Sequence, residues 1–187
     1  MIISFTGAQS TGKSTLLKLC KEEFGNRFSY VEEVTRLVKR QYNVPINEDA
    51  GNVTQLLIMN QHIVNSVQHT ENVIMDRCCI DGFIYTQWLH EQSKVDGWVA
   101  DYAARVANML IKKLDIIFFC QADFDLVEDG ERSSNEKFRD EIEQIMNSIL
   151  IHSADFIGLD NKVVILNGSV EERMQKIKQT INNYVKQ

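Results

Sequence analysis

Glycines stand at positions 7 and 12, and Lys13 and Ser14 follow directly, in the stretch GAQSTGKST of residues 7–15. Glycines at this spacing let the backbone curl until several N–H groups point at one anion, and a helix starting near the lysine adds the positive end of its dipole. The pattern is G-x-x-x-x-G-K-[ST], in which the lysine ammonium reaches the β- and γ-phosphates of a nucleotide and the hydroxyl ligates Mg²⁺. Lys13 is therefore the expected catalytic cation and Ser14 an expected metal ligand.

Acidic and basic residues farther along the chain are placed to complete such a site. Asp76 closes the apolar run NVIMD, so it should emerge at the same sheet edge as the loop, as the magnesium acid, with Arg77 beside it able to reach substrate or phosphate. Glu32 and Glu33 end the stretch FSYVEE, and Arg36 lies three residues on. Alternation along a strand puts the two glutamates on opposite faces, so at most one meets the crevice, where a carboxylate can take a proton from an attacking hydroxyl. The histidines at 62, 69, 90 and 152 are scattered among polar neighbours and receive no role. Tyr85 and Trp88, close to Phe83, Ile84 and Leu89, are expected to pack in the core rather than to stack on a base.

These side chains come from distant positions, so the fold must bring strand ends together. Strand candidates at 2–6, 28–33, 72–76, 115–120 and 162–166 alternate with helical stretches. That order predicts an α/β fold of the P-loop NTPase kind, a doubly wound parallel sheet of about five strands with helices on both faces. KSTLLKLCKEEF over 13–24 reads as the first helix. Between 50 and 69, Val53, Leu56, Leu57, Asn60, Ile63, Val64 and Val67 recur at helical spacing and predict a helix that turns this stripe to the core. Another helix follows the Asp96-Gly97 turn, with Val99, Tyr102, Ala103, Val106 and Leu110 as its apolar face. Residues 41–51, which hold the only proline, Pro45, form a loop that is either a substrate edge or a plain connector. Ser133 with Glu136, and Ser169 with Glu172, have capping-box spacing.

The 187 residues read as one domain, 1–187, large enough to bury a core without disulfides. Cysteines 20, 78, 79 and 120 sit in apolar surroundings without C-x-x-C spacing, which predicts reduced core thiols rather than a zinc site. A net charge of -6 argues against sequence-independent binding to a nucleic-acid backbone and leaves small anions allowed. No apolar run approaches the roughly 20 residues that span a bilayer and no basic leader precedes the first strand, so a soluble, cytoplasmic protein is expected. A guanine clamp N-K-x-D fails at Val164 in NKVV, and Asp76-Arg77 is not the acidic pair that activates water in motor ATPases. A small-molecule kinase fits better.

The segments SFTGAQSTGKSTL, VEEVTR, VIMDR, IIFFC, EDGERSSNEKF and VVILNGSVEERM, in this order, resemble the ribosylnicotinamide kinase domain of bacterial NAD-synthesis regulators and related AAA-type P-loop ATPase and kinase domains. The resemblance implies that Gly7, Ala8, Gln9, Ser10, Thr11, Gly12, Lys13, Ser14 and Thr15 cradle ATP and that Glu33 and Arg36 face a nucleoside. It also implies that Arg132 closes on the phosphates and that Asn167, Gly168 and Ser169 border the adenine. Asp76-Arg77 departs from that family and resembles thymidylate and deoxynucleoside kinases.

Taken together, the expected activity is ATP- and Mg²⁺-dependent transfer of the γ-phosphoryl group to a hydroxyl of a nucleoside-like molecule, ribosylnicotinamide first. Lys13, Glu33, Asp76 and Arg132 are the catalytic set, and Glu33, Arg36 and Arg77 the substrate contacts. A deoxynucleoside or nucleoside-monophosphate kinase is the alternative within enzymes, and an ATP-binding regulatory module without turnover the alternative outside them. The segment near 123–139 is the expected lid: Asp129-Gly130 can turn the chain, Arg132 precedes the Ser133 cap, and Arg139 lies seven residues on, either converging on the phosphates or paired in solvent.

Overall fold

The structure is a computed structural model and describes residues 1–122, 135–152, 159 and 161–185. Arg132, Ser133 and most of the expected lid lie outside the described residues. Five parallel strands, β1 (Ile2–Thr6), β2 (Ser29–Val31), β3 (Val73–Asp76), β4 (Ile116–Cys120) and β5 (Val163–Leu166), lie in the order β2-β3-β1-β4-β5. Phe5 of β1 sits in register with Asp76 on one side and with Phe118 on the other, so three strand ends converge at one edge. The order reverses beside β1, and crevices form at such reversals because flanking loops leave in opposite directions.

Helices α1 (Lys13–Phe24), α2 (Val34–Tyr42), α3 (Asn52–Gln68), α4 (Cys79–Glu91), α5 (Gly97–Leu110), α6 (Glu136–Asn147) and α7 (Val170–Tyr184) connect and cover these strands. Strand alternation divides the core. Ile3, Phe5, Ile74 and Phe118 turn to one face and pack with Leu16 and Cys20 of α1 and Ile177 and Ile181 of α7. Ile117 and Phe119 turn to the other, against Ile80 and Ile84 of α4, Ala103 of α5 and Ile142 of α6. All four cysteines are buried and free. Among the described residues no helix is long and apolar enough to cross a membrane.

Three local expectations are corrected. Strand β2 stops at Val31, so neither glutamate belongs to it, and Glu33 sits at the N-cap of α2. The N-cap of α6 is Asn135, whose Oδ1 accepts from the Phe138 N–H at 3.2 Å, rather than Ser133. Helix α3 forms as its period requires but faces the other way. Thr54, Gln55, Ile58, Met59, His62 and Asn65 are buried, while Val53, Val64 and Val67 are 64%, 42% and 70% exposed and Asn60 is exposed. The reason is that α3 is gripped on several sides: Ile58 and Leu57 join Val34 and Val38 of α2, and Leu56 and Ile63 reach the larger core obliquely. Buried polar groups there are bonded, Thr54 Oγ1 to the Pro45 carbonyl at 3.0 Å and Asn65 Oδ1 to Gln61 at 2.9 Å, which removes the usual cost of turning a polar stripe inward.

Candidate active site

The loop after β1 closes on itself. Gly7 has φ of 146°, and a Cβ there would fall 2.4 Å from the Cys120 carbonyl oxygen, so no side chain fits where the loop passes the end of β4. Lys13 Nζ donates to the carbonyls of Gly7 and Ala8 at 2.9 and 2.6 Å and to Thr11 Oγ1 at 3.0 Å. All three ammonium protons are thus held inside the loop that an incoming phosphate would occupy. Burial, with the nearby Arg77 charge, lowers the Lys13 pKa to about 8 against the opposing pull of Asp76 and Asp81. Ala8, Gln9, Ser10 and Thr11 are buried in the loop, whereas Ser14 and Thr15 open outward.

Asp76 arrives at Ser14 as its strand end suggested. Ser14 Oγ donates to Asp76 Oδ2 at 2.6 Å, while Asp76 Oδ1 is buried without a hydrogen-bond partner. An exposed hydroxyl beside a carboxylate with one unsatisfied oxygen is a hard oxygen donor set, and it fits Mg²⁺. Burial raises the Asp76 pKa, and the charge of Glu33 adds to that rise. A divalent cation would reverse both effects.

Arg77 is the hub of the other side. It has φ of 72° and is held by its backbone N–H to the Phe5 carbonyl at 2.9 Å. Its Nε donates to Glu33 Oε1 at 2.8 Å, and its Nη1 to Gly7 O, Asp81 Oδ1 and Tyr85 Oη at 3.1, 3.2 and 3.4 Å. Glu33 Oε2 in turn accepts from Arg36 Nε at 3.2 Å. Burial alone would raise the Glu33 pKa, but Arg77, Lys13 and Arg36 outweigh it and hold the carboxyl below its ordinary range. Glu32 is exposed near Arg40 and also lines the cleft, so the two glutamates differ in fixing rather than in facing: Glu33 is the one held by Arg77 and Arg36.

Glu33 borders two spaces. One is an open cleft of about 400 Å³ that Ser14, Tyr30, Arg36 and Asp76 also line. The other is a narrow pocket between α3 and α4, walled by Gln55, Ile58, His62, Arg77, Gly82 and Tyr85. It has a volume of about 30 Å³, enough for water but not for a sugar and base, so a ligand there must part its walls. Asn47 of the Pro45 loop lines it too.

Several residues escaped sequence reasoning. Tyr85 is no mere core aromatic: its hydroxyl donates to Gln9 Oε1 at 3.2 Å and its ring lies 5.1 Å from the Arg77 guanidinium. Trp88 does pack inside, edge-on to Phe138 at 4.5 Å. His62, given no role, is buried in the pocket wall. Arg139 is neither in solvent nor aimed outward; it is buried and its Nη2 donates to the Ala122 carbonyl at 3.3 Å.

Arg173 is 1% exposed and staples three segments, with Nε to Gly168 O at 3.0 Å, Nη1 to Thr11 O at 2.9 Å and Nη2 to Gln121 O at 3.1 Å. It ties the phosphate loop to the Asn167-Gly168-Ser169 turn, where the expected box forms between Ser169 and Glu172. Its position one turn after the Ser169 cap was the only sequence signal available.

The fold is shared with solved NadR and deoxyadenosine kinase structures. A NadR protein in complex with NR superposes with a TM-score of 0.71 at 20% identity, over 96% of this chain and 50% of that one. A deoxyadenosine kinase from M. mycoides with products dCMP and dCDP bound gives 0.70 at 15% identity, over 98% of this chain and 100% of that one. A NadR protein in complex with NAD and AMP-PNP gives 0.66 at 18% identity, and this chain again spans about half of it, 49%. No curated protein matches the chain. The resemblance read from the motifs therefore holds at the level of the fold, and because residues 2–173 match the AAA domain model, the chain belongs to that family.

Proposed function

We propose that this protein is an ATP- and Mg²⁺-dependent kinase that phosphorylates a hydroxyl of a nucleoside-like small molecule, ribosylnicotinamide before others. The observation that carries this reading is Glu33, an ionised carboxylate held by Arg77 and Arg36 at the border of both spaces, next to the Ser14–Asp76 pair. A fixed carboxylate suits a hydroxyl that must be oriented and relieved of a proton, and it repels the phosphate of a nucleoside monophosphate.

In this reading residues 7–15 bind the triphosphate, and Lys13 leaves its own loop carbonyls to balance phosphate charge. Ser14 and Asp76 would hold Mg²⁺, which when bound neutralises charge on the phosphates. The acceptor oxygen attacks the γ-phosphorus, the bond to the β-phosphate oxygen breaks, ADP leaves, and Glu33 takes the hydroxyl proton or guides it to solvent. Because its neighbours keep it acidic, orientation is the larger part of its contribution. Arg77 and Arg36 fix Glu33 and lie in reach of the substrate, residues 167–169 border the adenine, and Arg132 closes on the phosphates.

Full-length agreement with a deoxyadenosine kinase fold and the Asp76-Arg77 pair favour one second reading, a deoxynucleoside kinase. ADP release measured against ribosylnicotinamide, deoxynucleosides and nucleoside monophosphates separates them. Turnover on monophosphates alone overturns the hydroxyl acceptor, and ATP binding with no turnover on any of them points to a regulatory module.

A further inference from the structure

His62 is the buried titratable group that the phosphoryl-transfer scheme leaves unused. It is 6% exposed and has no hydrogen-bond partner among the described residues. It lines both the α3–α4 pocket and a second cavity, which reaches Ile2 of β1 and Met75 of β3. An imidazole in such a place ordinarily costs stability unless its nitrogens are satisfied, by water or by a ligand. Across from it stands Gly82, where a Cβ would fall 2.6 Å from Met59 Sδ and 3.3 Å from His62 Cδ2, so α4 lacks a side chain at the one point where the histidine needs room. Gln55, two turns before His62 on the same face of α3, is anchored by its Oε1, which accepts from Thr86 Oγ1 at 2.8 Å; its amide NH₂ remains available to the pocket it lines.

Resting on the kinase reading above, we propose that His62 is a specificity-determining residue of the acceptor pocket and hydrogen-bonds the polar edge of a planar heterocycle, with the Gln55 amide as a second contact. Burial, with the nearby Arg77 charge, lowers the His62 pKa to about 4, so at neutral pH the ring is uncharged and offers one donor and one acceptor. Such a pair selects uncharged ring nitrogens, amides and carbonyls. It gives no purchase to a phosphate, which would seek a cation, and rejects a ring without polar atoms because the histidine would then stay buried and unsatisfied.

The test compares kcat/KM for ribosylnicotinamide and a set of nucleosides with that for a phenyl riboside, which keeps the sugar and ring shape but lacks polar ring atoms. In wild type the best heterocycle should exceed the phenyl riboside by about a hundredfold or more, since an unpaired buried polar group is what discriminates. His62→Leu should lose about tenfold or more on the heterocycle, keep its rate on the phenyl riboside, and leave the KM for ATP within about twofold. His62→Gln, which retains donor and acceptor, should keep the preference for heterocycles but reorder them. A folded His62→Leu protein with unchanged discrimination overturns the proposal while the kinase reading stands. If the leucine variant does not fold, an unchanged ranking in His62→Gln overturns it instead. Absence of turnover by wild type on every acceptor overturns the kinase reading and this proposal with it.

Discussion

The phosphate loop and the acceptor pocket meet at Gly7, whose carbonyl receives both Lys13 Nζ and Arg77 Nη1, yet they are held by different means. The loop is contiguous in sequence and shaped by backbone: a glycine that tolerates no Cβ, a lysine folded onto neighbouring carbonyls, a helix starting at Lys13. The pocket is assembled from side chains of α2, the Pro45 loop, α3 and α4, with Arg77 joining Glu33 at the start of α2 to Asp81 and Tyr85 of α4. The loop already has its backbone shape, with Lys13 folded into it, whereas the pocket holds only about 30 Å³ and must widen for a nucleoside. Shared chemistry can therefore be built into one short segment, while choice of acceptor is left to side chains drawn from several elements.

Removing the loop's cation should have the largest effect. Lys13→Ala should lower phosphoryl transfer by about a thousandfold or more, while circular dichroism and the melting transition stay near wild type, because the ammonium balances phosphate charge and packs no core. Retained turnover in that variant would break the assignment of the loop as the catalytic side.

Next comes the carboxylate at the border. Glu33→Gln should reduce kcat by about a hundredfold with ATP binding intact, since a neutral amide loses the charge pairing with Arg77 and Arg36 that orients the side chain and cannot accept the proton. Glu32→Gln, on a side chain 82% exposed, should do nothing measurable in the same assay. The reverse order would mean that the two sides of the crevice have been misassigned.

Arg173 sharpens the contrast, because it holds the backbone loop at Thr11 from the side away from the acceptor pocket, whereas Arg77 holds it at Gly7 from the pocket side. Arg173→Lys keeps the charge but cannot reach three carbonyls at once, so the KM for ATP should rise about tenfold while the relative kcat/KM values of different acceptors hold. A change in acceptor ranking would show that the loop and the pocket are not separable in this way.

The smallest expected effect is a pH dependence. Phosphate binding favours charged Lys13 and so raises its pKa above the free value of about 8. Affinity for ATP should be level where the free protein is already protonated and fall as pH rises through that value, by roughly fourfold between about pH 7 and about pH 8.5. Fluorescent-nucleotide titration across that range reads it, and a level profile would mean that Lys13 keeps an ordinary pKa in the free loop.

Much of this site was legible because its signals are local. Gly7, Gly12, Lys13 and Ser14 announce a loop by spacing alone, β3 delivers Asp76 to Ser14 because both follow neighbouring parallel strands, and the Ser169–Glu172 box needs only its own helix. Alternation did not separate Glu33 from Glu32, because β2 ends at Val31 and both glutamates line the cleft; what distinguishes Glu33 is its pairing with Arg77 and Arg36.

What the residue order determined by itself was thus the period of each element, the glycine loop after β1 and the edge where Asp76 meets Ser14, since these depend on backbone geometry within a few residues. The tertiary structure alone decided which stripe of α3 turns inward. Periodicity marks two candidate faces of a helix, and when α2, α4 and α5 press on it from several directions, bonded polar groups such as Gln55 and Thr54 can occupy the buried side and leave Val53 and Val67 in water. It alone brought Arg173 to the phosphate loop, 162 residues away in sequence, and set His62 against Gly82. A buried arginine or histidine carries no local mark of its partner, because the energy that fixes it comes from carbonyls and cavities supplied by other parts of the chain.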